Sequence, residues 1–323
     1  YKRQIINWVK QRYDLIVTKE VINFVPGIVP GIGMAMNCFT QKGDKVMIQP
    51  PVYHPFAWVT TRNERTLVTN PLKWENGMYR MDLDTFREQI KGCKLFILCN
   101  PHNPGGVVWT EAELRAIADI CYDEKVLVFS DEIHADLTLP PHTHRPFATV
   151  SEKARMNSVT FMSPSKAFNM PGLSASHALI FNEDLRKRFR IYMDAGELDM
   201  GHVFAFLSVE AAYSHGTEWL DQCLAYIQGN IDFVDEFLKK HAPKIKAIRP
   251  EASYLVWLDC RELKLSQKDL NEFFVDKAHL ALNDGEMFGK EGIGFMRLNV
   301  ASPRCIIEKA MKQLADAYQL YIK

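Results

Sequence analysis

Three largely apolar runs of this chain each end in a cluster of polar residues, and this recurrence constrains the fold more than any other feature. The runs cover residues 94–99, 126–129 and 159–162. Apolar runs of this length are typical of strands that are buried on both faces. Segments with helical periodicity lie between them, and such alternation indicates a mostly parallel sheet with helices on both faces. The sequence therefore predicts an α/β fold.

Residues 1–235 are predicted to form a large domain around this sheet. Its strands are predicted at 45–49, 65–69, 94–99, 126–130, 157–162 and 178–181. Its first helix begins near the chain start, with Ile5, Ile6, Val9 and Tyr13 on one face. Further helices are predicted at 31–40, 83–91, 110–123, 183–194, 201–214 and 216–241.

Residues 236–323 are predicted to form a smaller α+β domain, because the pattern changes to short strands beyond about residue 243. The long helix at 216–241 is expected to bridge the two domains. The predicted strands are 244–249, 254–259 and 293–299, and the predicted helices are 266–277 and 303–320.

The composition excludes several classes of protein. Lys and Arg together number 39, as do Asp and Glu, so the charge footprint of a nucleic-acid or anionic-membrane binder is absent. The longest apolar runs fall short of the roughly 20 residues that a membrane span needs. The seven cysteines are scattered, without zinc spacing, which favours reduced thiols in a cytoplasmic protein and no metal site.

Lys166 follows the third apolar run, in a turn that also contains Ser163 and Ser165. Burial at a strand end lowers the pKa of an amine, and a neutral amine attacks a carbonyl to form a Schiff base. The two hydroxyls are suited to holding a phosphate beside it. A serine-rich turn with one lysine is more often a solvated loop, so the interpretation depends on the other two clusters.

Asp131 and Asn103 follow the other two runs. A carboxylate at the end of a buried strand is costly unless it meets a cation, and a protonated pyridine nitrogen is such a cation. The alternative for Asp131 is a cap on the following turn. The alternative for Asn103 is an Asn-Pro-Gly-Gly turn without a ligand. A lysine, an acid and an amide at neighbouring strand ends are what pyridoxal phosphate requires.

The order of these motifs resembles that of fold-type I pyridoxal-phosphate enzymes. More narrowly, the chain resembles the cystathionine β-lyase (cysteine-S-conjugate β-lyase) branch of the class I/II aminotransferase superfamily, over essentially its whole length. The narrower likeness lies in Asp131-Glu132-Ile133-His134, Ser165-Lys166-Ala167-Phe168-Asn169 and Arg297-Leu298-Asn299-Val300. The resemblance implies an aspartate-aminotransferase-like fold and pyridoxal 5′-phosphate as the coenzyme.

The resemblance also implies roles around the coenzyme ring. Lys166 would form the Schiff base and then act as the general base. Asp131 would keep the pyridine nitrogen protonated, Asn103 would donate to the phenolate oxygen, and Tyr53 would stack on the ring.

Phosphate binding is implied for the backbone amides of Ile28 and Val29, at a glycine-rich turn that opens a helix. Two residues depart from the aminotransferase pattern. His134 stands where many aminotransferases have a tyrosine, and Ser174 stands where many have an arginine that binds the phosphate. The phosphate is therefore left to backbone groups and hydroxyls, with Ser163 expected to be the chief one.

Arg297 lies in the strand-like stretch 294–300, where an edge-strand arginine pointing at water would be the ordinary expectation. The resemblance instead implies that its guanidinium binds the substrate α-carboxylate through two parallel hydrogen bonds.

The implied activity is a C–S β-lyase that cleaves cystathionine or related cysteine S-conjugates to a thiol, pyruvate and ammonia. One alternative is an aminotransferase that uses the same residues, and another is a coenzyme-binding regulator with incidental catalysis. The resemblance also implies a homodimer, with the apolar segment 201–207 at the interface. Members of the family begin several dozen residues earlier, so a segment that lines the substrate mouth is expected to be missing.

Overall fold

The computed structural model describes residues 1–321 of the chain. The helices are α1 (Lys2–Tyr13), α2 (Ile28–Phe39), α3 (Pro55–Arg62), α4 (Leu83–Gln89), α5 (Glu111–Asp123), α6 (Glu152–Met156), α7 (Glu183–Ala195), α8 (Val203–His215), α9 (Thr217–His241), α10 (Gln267–Glu272) and α11 (Arg304–Tyr321). The strands are β1 (Ile22–Val25), β2 (Lys45–Ile48), β3 (Thr66–Thr69), β4 (Lys73–Glu75), β5 (Met78–Arg80), β6 (Cys93–Cys99), β7 (Leu127–Asp131), β8 (Ser158–Met162), β9 (Ser176–Leu179), β10 (Lys246–Ile248), β11 (Leu255–Asp259), β12 (Asn283–Asp284) and β13 (Phe295–Asn299).

The central sheet has the strand order β1-β9-β8-β7-β6-β2-β3. The five strands from β8 to β3 run parallel, whereas β9 is antiparallel to both of its neighbours. This arrangement confirms the predicted mostly parallel α/β sheet. The register places Cys99 beside Asp131 and Asp131 beside Phe161. The polar clusters that follow β6, β7 and β8 therefore meet at one edge of the sheet.

Helix α2 begins at Ile28, three residues earlier than predicted from the glycine-rich turn. Pro30 lies in its first turn, where the missing N–H of proline costs no hydrogen bond. A Cβ on Gly31 would lie 2.9 Å from a Val25 methyl and 3.2 Å from the Phe161 ring. Glycine here lets the first turn of α2 pack directly against β1 and β8, close to the edge where the polar clusters meet.

The last third of the chain forms a four-stranded antiparallel sheet with the order β10-β11-β13-β12. Strand β13 is interior, so Arg297 does not stand on an edge strand. The predicted helix 266–277 is wrong in its second half, because α10 ends at Glu272 and a π-helical turn covers Phe273–Lys277. Helix α9 spans the predicted boundary at 235/236, and the division into two domains stays a prediction.

Side chains of α9 attach it to this smaller sheet. The buried amide of Asn230 donates to the carbonyls of Val300 and Ser302, each at 2.9 Å, and accepts from Arg304. No helix among the described residues is long and apolar enough to cross a membrane.

Candidate active site

A cavity of about 370 Å³ lies where the edge of the central sheet faces the smaller sheet. All but one of the predicted site residues line it. Those that do are Ile28, Val29, Tyr53, Asn103, Asp131, His134, Lys166 and Arg297. They come from positions spread over most of the chain, so the fold brings the candidate groups together.

Lys166 stands in a turn that follows β8 and lines the cavity. The turn is held by backbone hydrogen bonds from Phe168 to Pro164 and from Met170 to Ser165, both 2.9 Å. Its amine therefore projects from a fixed turn at the carboxyl end of a buried strand.

Asp131 ends β7 and is 3% exposed. The pKa of its carboxyl is raised to about 7, mainly by burial; the hydrogen bond from the Ile133 N–H lowers it, the charge of Glu132 raises it, and the charge of Lys166 lowers it. No basic side chain of residues 1–321 forms an ion pair with it. A cation that entered the cavity beside Asp131 would relieve this cost, because an ionised carboxylate is stable in a buried site only when it is paired.

Arg297 reaches the cavity from β13 and holds two amides. Its Nη1 donates to Asn103 Oδ1 and its Nη2 donates to Asn283 Oδ1, each at 2.8 Å. Its Nε has no hydrogen-bond partner within the described residues, and the guanidinium lies 4.6 Å from the centre of the Phe288 ring. Burial lowers the pKa of Arg297 to about 10, so the guanidinium stays charged at neutral pH. The N–H groups that the two amides do not occupy are available to a carboxylate.

The bond from Arg297 also orients Asn103. Because Asn103 Oδ1 accepts from the guanidinium, the remaining polar group of this amide is its NH₂ donor. The backbone N–H of Asn103 lies 3.3 Å from Cys99 Sγ, which holds the residue against the end of β6. Asn103 is thus set as a hydrogen-bond donor at the cavity wall.

Helix α2 directs its N-terminus into the cavity, where residues 26–30 form part of the wall. The first N–H groups of a helix have no partner within it and attract anions. The hydroxyl residues Ser165, Ser174 and Ser176 line the same cavity. This part of the wall offers backbone donors and hydroxyls to an anion.

Ser163 does not line the cavity. Its Oγ donates to the Ala175 carbonyl at 2.7 Å, lies 2.9 Å from Ser165 Oγ and accepts the Ser165 N–H at 3.1 Å. These bonds engage the hydroxyl behind the wall, where it fixes the turn that carries Ser165. The hydroxyls at the cavity surface belong to Ser165, which the sequence also suggested for the phosphate, and to Ser174 and Ser176.

His134 is buried beside the lysine and the arginine. Burial, followed by the positive charges of Lys166 and Arg297, lowers the pKa of its imidazole to about 3. Its Nδ1 has no hydrogen-bond partner among the described residues. The ring centroid lies 6.3 Å from that of Tyr254. His134 is therefore a neutral polar group at the wall rather than a second cation.

Sequence reasoning missed Tyr254 and Asn283, which also line the cavity. Burial raises the pKa of Tyr254, so its phenol stays protonated at neutral pH. The signal for Asn283 would have been its pairing with Arg297 across β12 and β13, and a strand of two residues leaves no pattern in a sequence.

On the opposite side of β7 the next carboxylate, Glu132, is enclosed by donors. Its Oε1 accepts from Ser130 Oγ and from the Phe147 N–H, and its Oε2 pairs with His144 Nε2. Each of these three donor–acceptor distances is 2.8 Å. The side chains of Glu132 and His144 are both 0% exposed. This carboxylate has no access to the cavity and fastens the end of β7 to the segment 144–147.

Comparisons with known proteins agree with this geometry. The family model "Aminotransferase class I and II" matches residues 1–314. Cystathionine beta-lyase PatB of Bacillus subtilis is 38% identical over 318 residues, which cover 98% of this chain and 82% of that protein.

Two solved structures share the fold over nearly the whole chain. Cystalysin from Treponema denticola, which contains a pyridoxal 5′-phosphate cofactor, superposes with a TM-score of 0.97 at 34% identity, covering 100% of this chain and 82% of that one. The pyridoxal-phosphate-bound C–S lyase from Staphylococcus hominis superposes with a TM-score of 0.91 at 32% identity, covering 98% of this chain and 82% of that one. The chain belongs to the aminotransferase class I and II family.

Proposed function

We propose that this chain is a pyridoxal-phosphate-dependent C–S β-lyase. The observation that carries the proposal is the single cavity in which Lys166, the buried carboxyl of Asp131 and the guanidinium of Arg297 meet. The 38% identity to a cystathionine β-lyase supports the same activity. The substrates would be cystathionine or related S-conjugates of cysteine.

The residues present fit the coenzyme. Asp131 is a buried carboxyl with a raised pKa, and a protonated ring nitrogen beside it would lower that pKa and stabilise the carboxylate. The Asn103 NH₂ group is free to donate a hydrogen bond to the ring oxygen. The N-terminus of α2, with Ile28 and Val29, would hold the phosphate, and Ser165 rather than Ser163 would add a hydroxyl. Tyr53 lines the cavity and is assigned the stacking position.

The coenzyme supplies an electron sink for the bond-breaking steps. Arg297 binds the substrate carboxylate and fixes the orientation of the α-carbon. Lys166 Nζ removes the α-proton, and the sulfur substituent leaves from the β-carbon. Proton return to the departing sulfur, also from Lys166, gives a neutral thiol. Hydrolysis of the three-carbon remainder then yields pyruvate and ammonia.

Aminotransferase activity is the second candidate, favoured by the family model that matches residues 1–314. The two reactions part after the α-proton is removed, because an aminotransferase would keep the bond between the β-carbon and sulfur and would exchange the amino group with a keto acid. The test supplies cystathionine and S-methyl-cysteine with and without 2-oxoglutarate, and assays pyruvate and free thiol. A lyase forms both without the keto acid. Formation of glutamate only, and only with 2-oxoglutarate, would favour the aminotransferase. A protein that binds the coenzyme but has negligible turnover would favour the third possibility, a coenzyme-binding regulator with incidental catalysis.

We also propose that the working unit is a cytoplasmic homodimer. Met200, Val203, Phe204 and Leu207 form an apolar patch at the start of α8, and each is more than half exposed. Two copies related by a twofold axis would bury the same patch on both subunits. Sedimentation at micromolar concentration tests this, with Phe204→Asp as the variant expected to dissociate. A wild-type monomer with full specific activity would overturn it.

A further inference from the structure

A second chamber, of about 310 Å³, adjoins the cavity on the lysine side. Lys166, Tyr254 and Asn299 line both spaces, so the two are neighbours. A volume of this size lies at the lower end of the range for small-molecule sites, roughly 300–1,000 Å³.

One face of α9 forms the far wall of this chamber. Trp219, Cys223, Tyr226 and Ile227 are spaced as neighbours on a helix surface, and all of them line it. Trp219 stacks on Phe168, two residues after the lysine, with ring centroids 5.8 Å apart. The wall is thus built from aromatic and apolar groups that contact the turn carrying Lys166.

The chamber has a fixed floor and little charge. The Asn230 amide holds the carbonyls of Val300 and Ser302, which keeps the segment 301–303 against α9. Of the lining residues, all of which lie in the described part of the chain, Lys166 alone has a charged side chain. Arg304, the nearest arginine along the chain, donates its Nε to Asn230 and lies over the Phe233 ring.

We propose that this chamber receives the sulfur substituent of the substrate, an inference that rests on the proposed lyase function. The group leaves from the carbon next to the one that Lys166 deprotonates, and Lys166 borders the chamber. The only charged side chain among the described lining residues is Lys166, which the proposed lyase function commits to the coenzyme and the α-proton, so the aromatic wall favours an uncharged alkyl or aryl thioether. The distal half of cystathionine carries an ammonium and a carboxylate, and beside this half-exposed aromatic wall neither finds an oppositely charged side chain that is free to pair with it. The preferred substrate class is therefore cysteine conjugates with an uncharged S-alkyl or S-aryl group.

Turnover of three substrates tests the inference. The coenzyme-loaded protein should cleave S-benzyl-cysteine with a kcat/KM about 10-fold or more above that for cystathionine, with S-methyl-cysteine between them. Trp219→Ala should lower kcat/KM for S-benzyl-cysteine by roughly 10- to 200-fold, and that for S-methyl-cysteine much less. Tyr122→Ala is the control, because Tyr122 is a similarly exposed aromatic residue on α5, outside both spaces. Equal losses for all three substrates in Trp219→Ala would overturn the inference, as would a preference for cystathionine.

A binding measurement separates this inference from the lyase function itself. The probe is 3-(benzylthio)propanoate, which has the carboxylate, the sulfur and the benzyl group of the substrate but no amine to react. It should change the tryptophan fluorescence of the wild-type protein, and Trp219→Phe should remove most of that change. If no substrate were cleaved while this signal persisted, the lyase function would fail and the chamber would stand. If the probe bound with the same signal in both proteins, the chamber assignment would fail.

Discussion

The end of strand β7 carries two adjacent buried carboxylates with opposite surroundings, Asp131 as its last residue and Glu132 directly after it. Asp131 faces the cavity and accepts a hydrogen bond from the Ile133 N–H, with no basic partner among residues 1–321. Glu132 faces away and accepts bonds from Ser130, Phe147 and His144. Burial alone therefore does not distinguish a functional acid from a structural one. The distinction lies in whether the protein itself satisfies the charge or leaves it for a ligand.

The same contrast extends to the neighbours of each acid. On the cavity side, Arg297 Nε and His134 Nδ1 lack hydrogen-bond partners within the described residues. On the packed side, Asp136 accepts from Trp8 Nε1 at 2.9 Å and from the Tyr13 hydroxyl, which ties α1 to the segment after β7. Unpaired buried atoms also occur outside the cavity, His144 Nδ1 on the packed side among them, so the contrast between the two sides holds for the charged groups and not for every polar atom.

Removing the lysine amine should have the largest effect. Lys166→Ala deletes both the group that would hold the coenzyme covalently and the base that takes the α-proton, so turnover should fall by about 10³-fold or more. The absorbance of covalently bound coenzyme should disappear while far-ultraviolet circular dichroism stays unchanged. A variant that still held the coenzyme covalently would show that another lysine has this role.

Asp131→Asn should have the next largest effect. The amide has the same shape but cannot hold a proton on the ring nitrogen, so kcat should fall roughly 100-fold or more while the protein remains folded. Steady-state kinetics with saturating coenzyme, together with thermal unfolding, measure both parts. Rates within a few-fold of wild type would remove Asp131 from the ring-nitrogen position.

The sequence predicted the strands beside the cavity better than some of the strands elsewhere. Strands β6, β7 and β8 were predicted to within one residue at each end, because continuous apolar runs between helices leave few alternatives. The hairpin β4–β5 was missed although Asn76-Gly77 is a strong turn signal, and both residues have positive φ, 50° and 81°. Its strands have only three residues each, too few to establish a period.

The limits of prediction in the site have a similar cause. Residues predicted from their chemistry at a strand end, such as Asp131, line the cavity. Ser163 has the right chemistry, but its hydroxyl turns to the Ala175 carbonyl, and only the three-dimensional packing determines that. Asn283 and Tyr254 enter the cavity through the packing of the smaller sheet, which no local pattern encodes.

The pH dependence of stability should report the unpaired carboxyl. The pKa of Asp131 is raised from 3.8 to about 7, so between these values the folded state retains a proton that the unfolded state has lost. Stability of the coenzyme-free protein should therefore fall with rising pH in this window, by up to about 1.4 kcal/mol per pH unit from this group.

The variant Asp131→Asn isolates that contribution, because other titrating groups act alike in both proteins. The pKa of His134 is lowered to about 3, so its effect on stability has the opposite sign. This histidine destabilises the folded state as the pH falls below the pKa of a free histidine. Urea unfolding of both coenzyme-free proteins at pH 5 and pH 8 gives the comparison. The variant should gain stability relative to wild type at the higher pH, and an equal difference at both values would contradict the assignment.

Glu132→Gln, the matching substitution on the packed side, should have the smallest effect on turnover. The glutamine oxygen can keep the bonds from Ser130 and Phe147, but its NH₂ group then meets His144 Nε2, which must become an acceptor. That tautomer moves the imidazole proton to His144 Nδ1, which has no partner among the described residues. An unsatisfied buried donor of this kind costs about 1–3 kcal/mol.

The variant should therefore unfold at lower urea concentration, while kcat/KM per folded molecule stays within a few-fold of wild type. Asp131→Asn should show the reverse, with low turnover and undiminished stability at neutral pH. These opposite results would establish that, of the two neighbouring carboxylates at the end of β7, Glu132 supports stability and Asp131 supports catalysis. If Glu132→Gln lost as much activity as Asp131→Asn while remaining folded, charge on the packed side would have to act through β7 on the cavity, and the two faces would form one electrostatic unit.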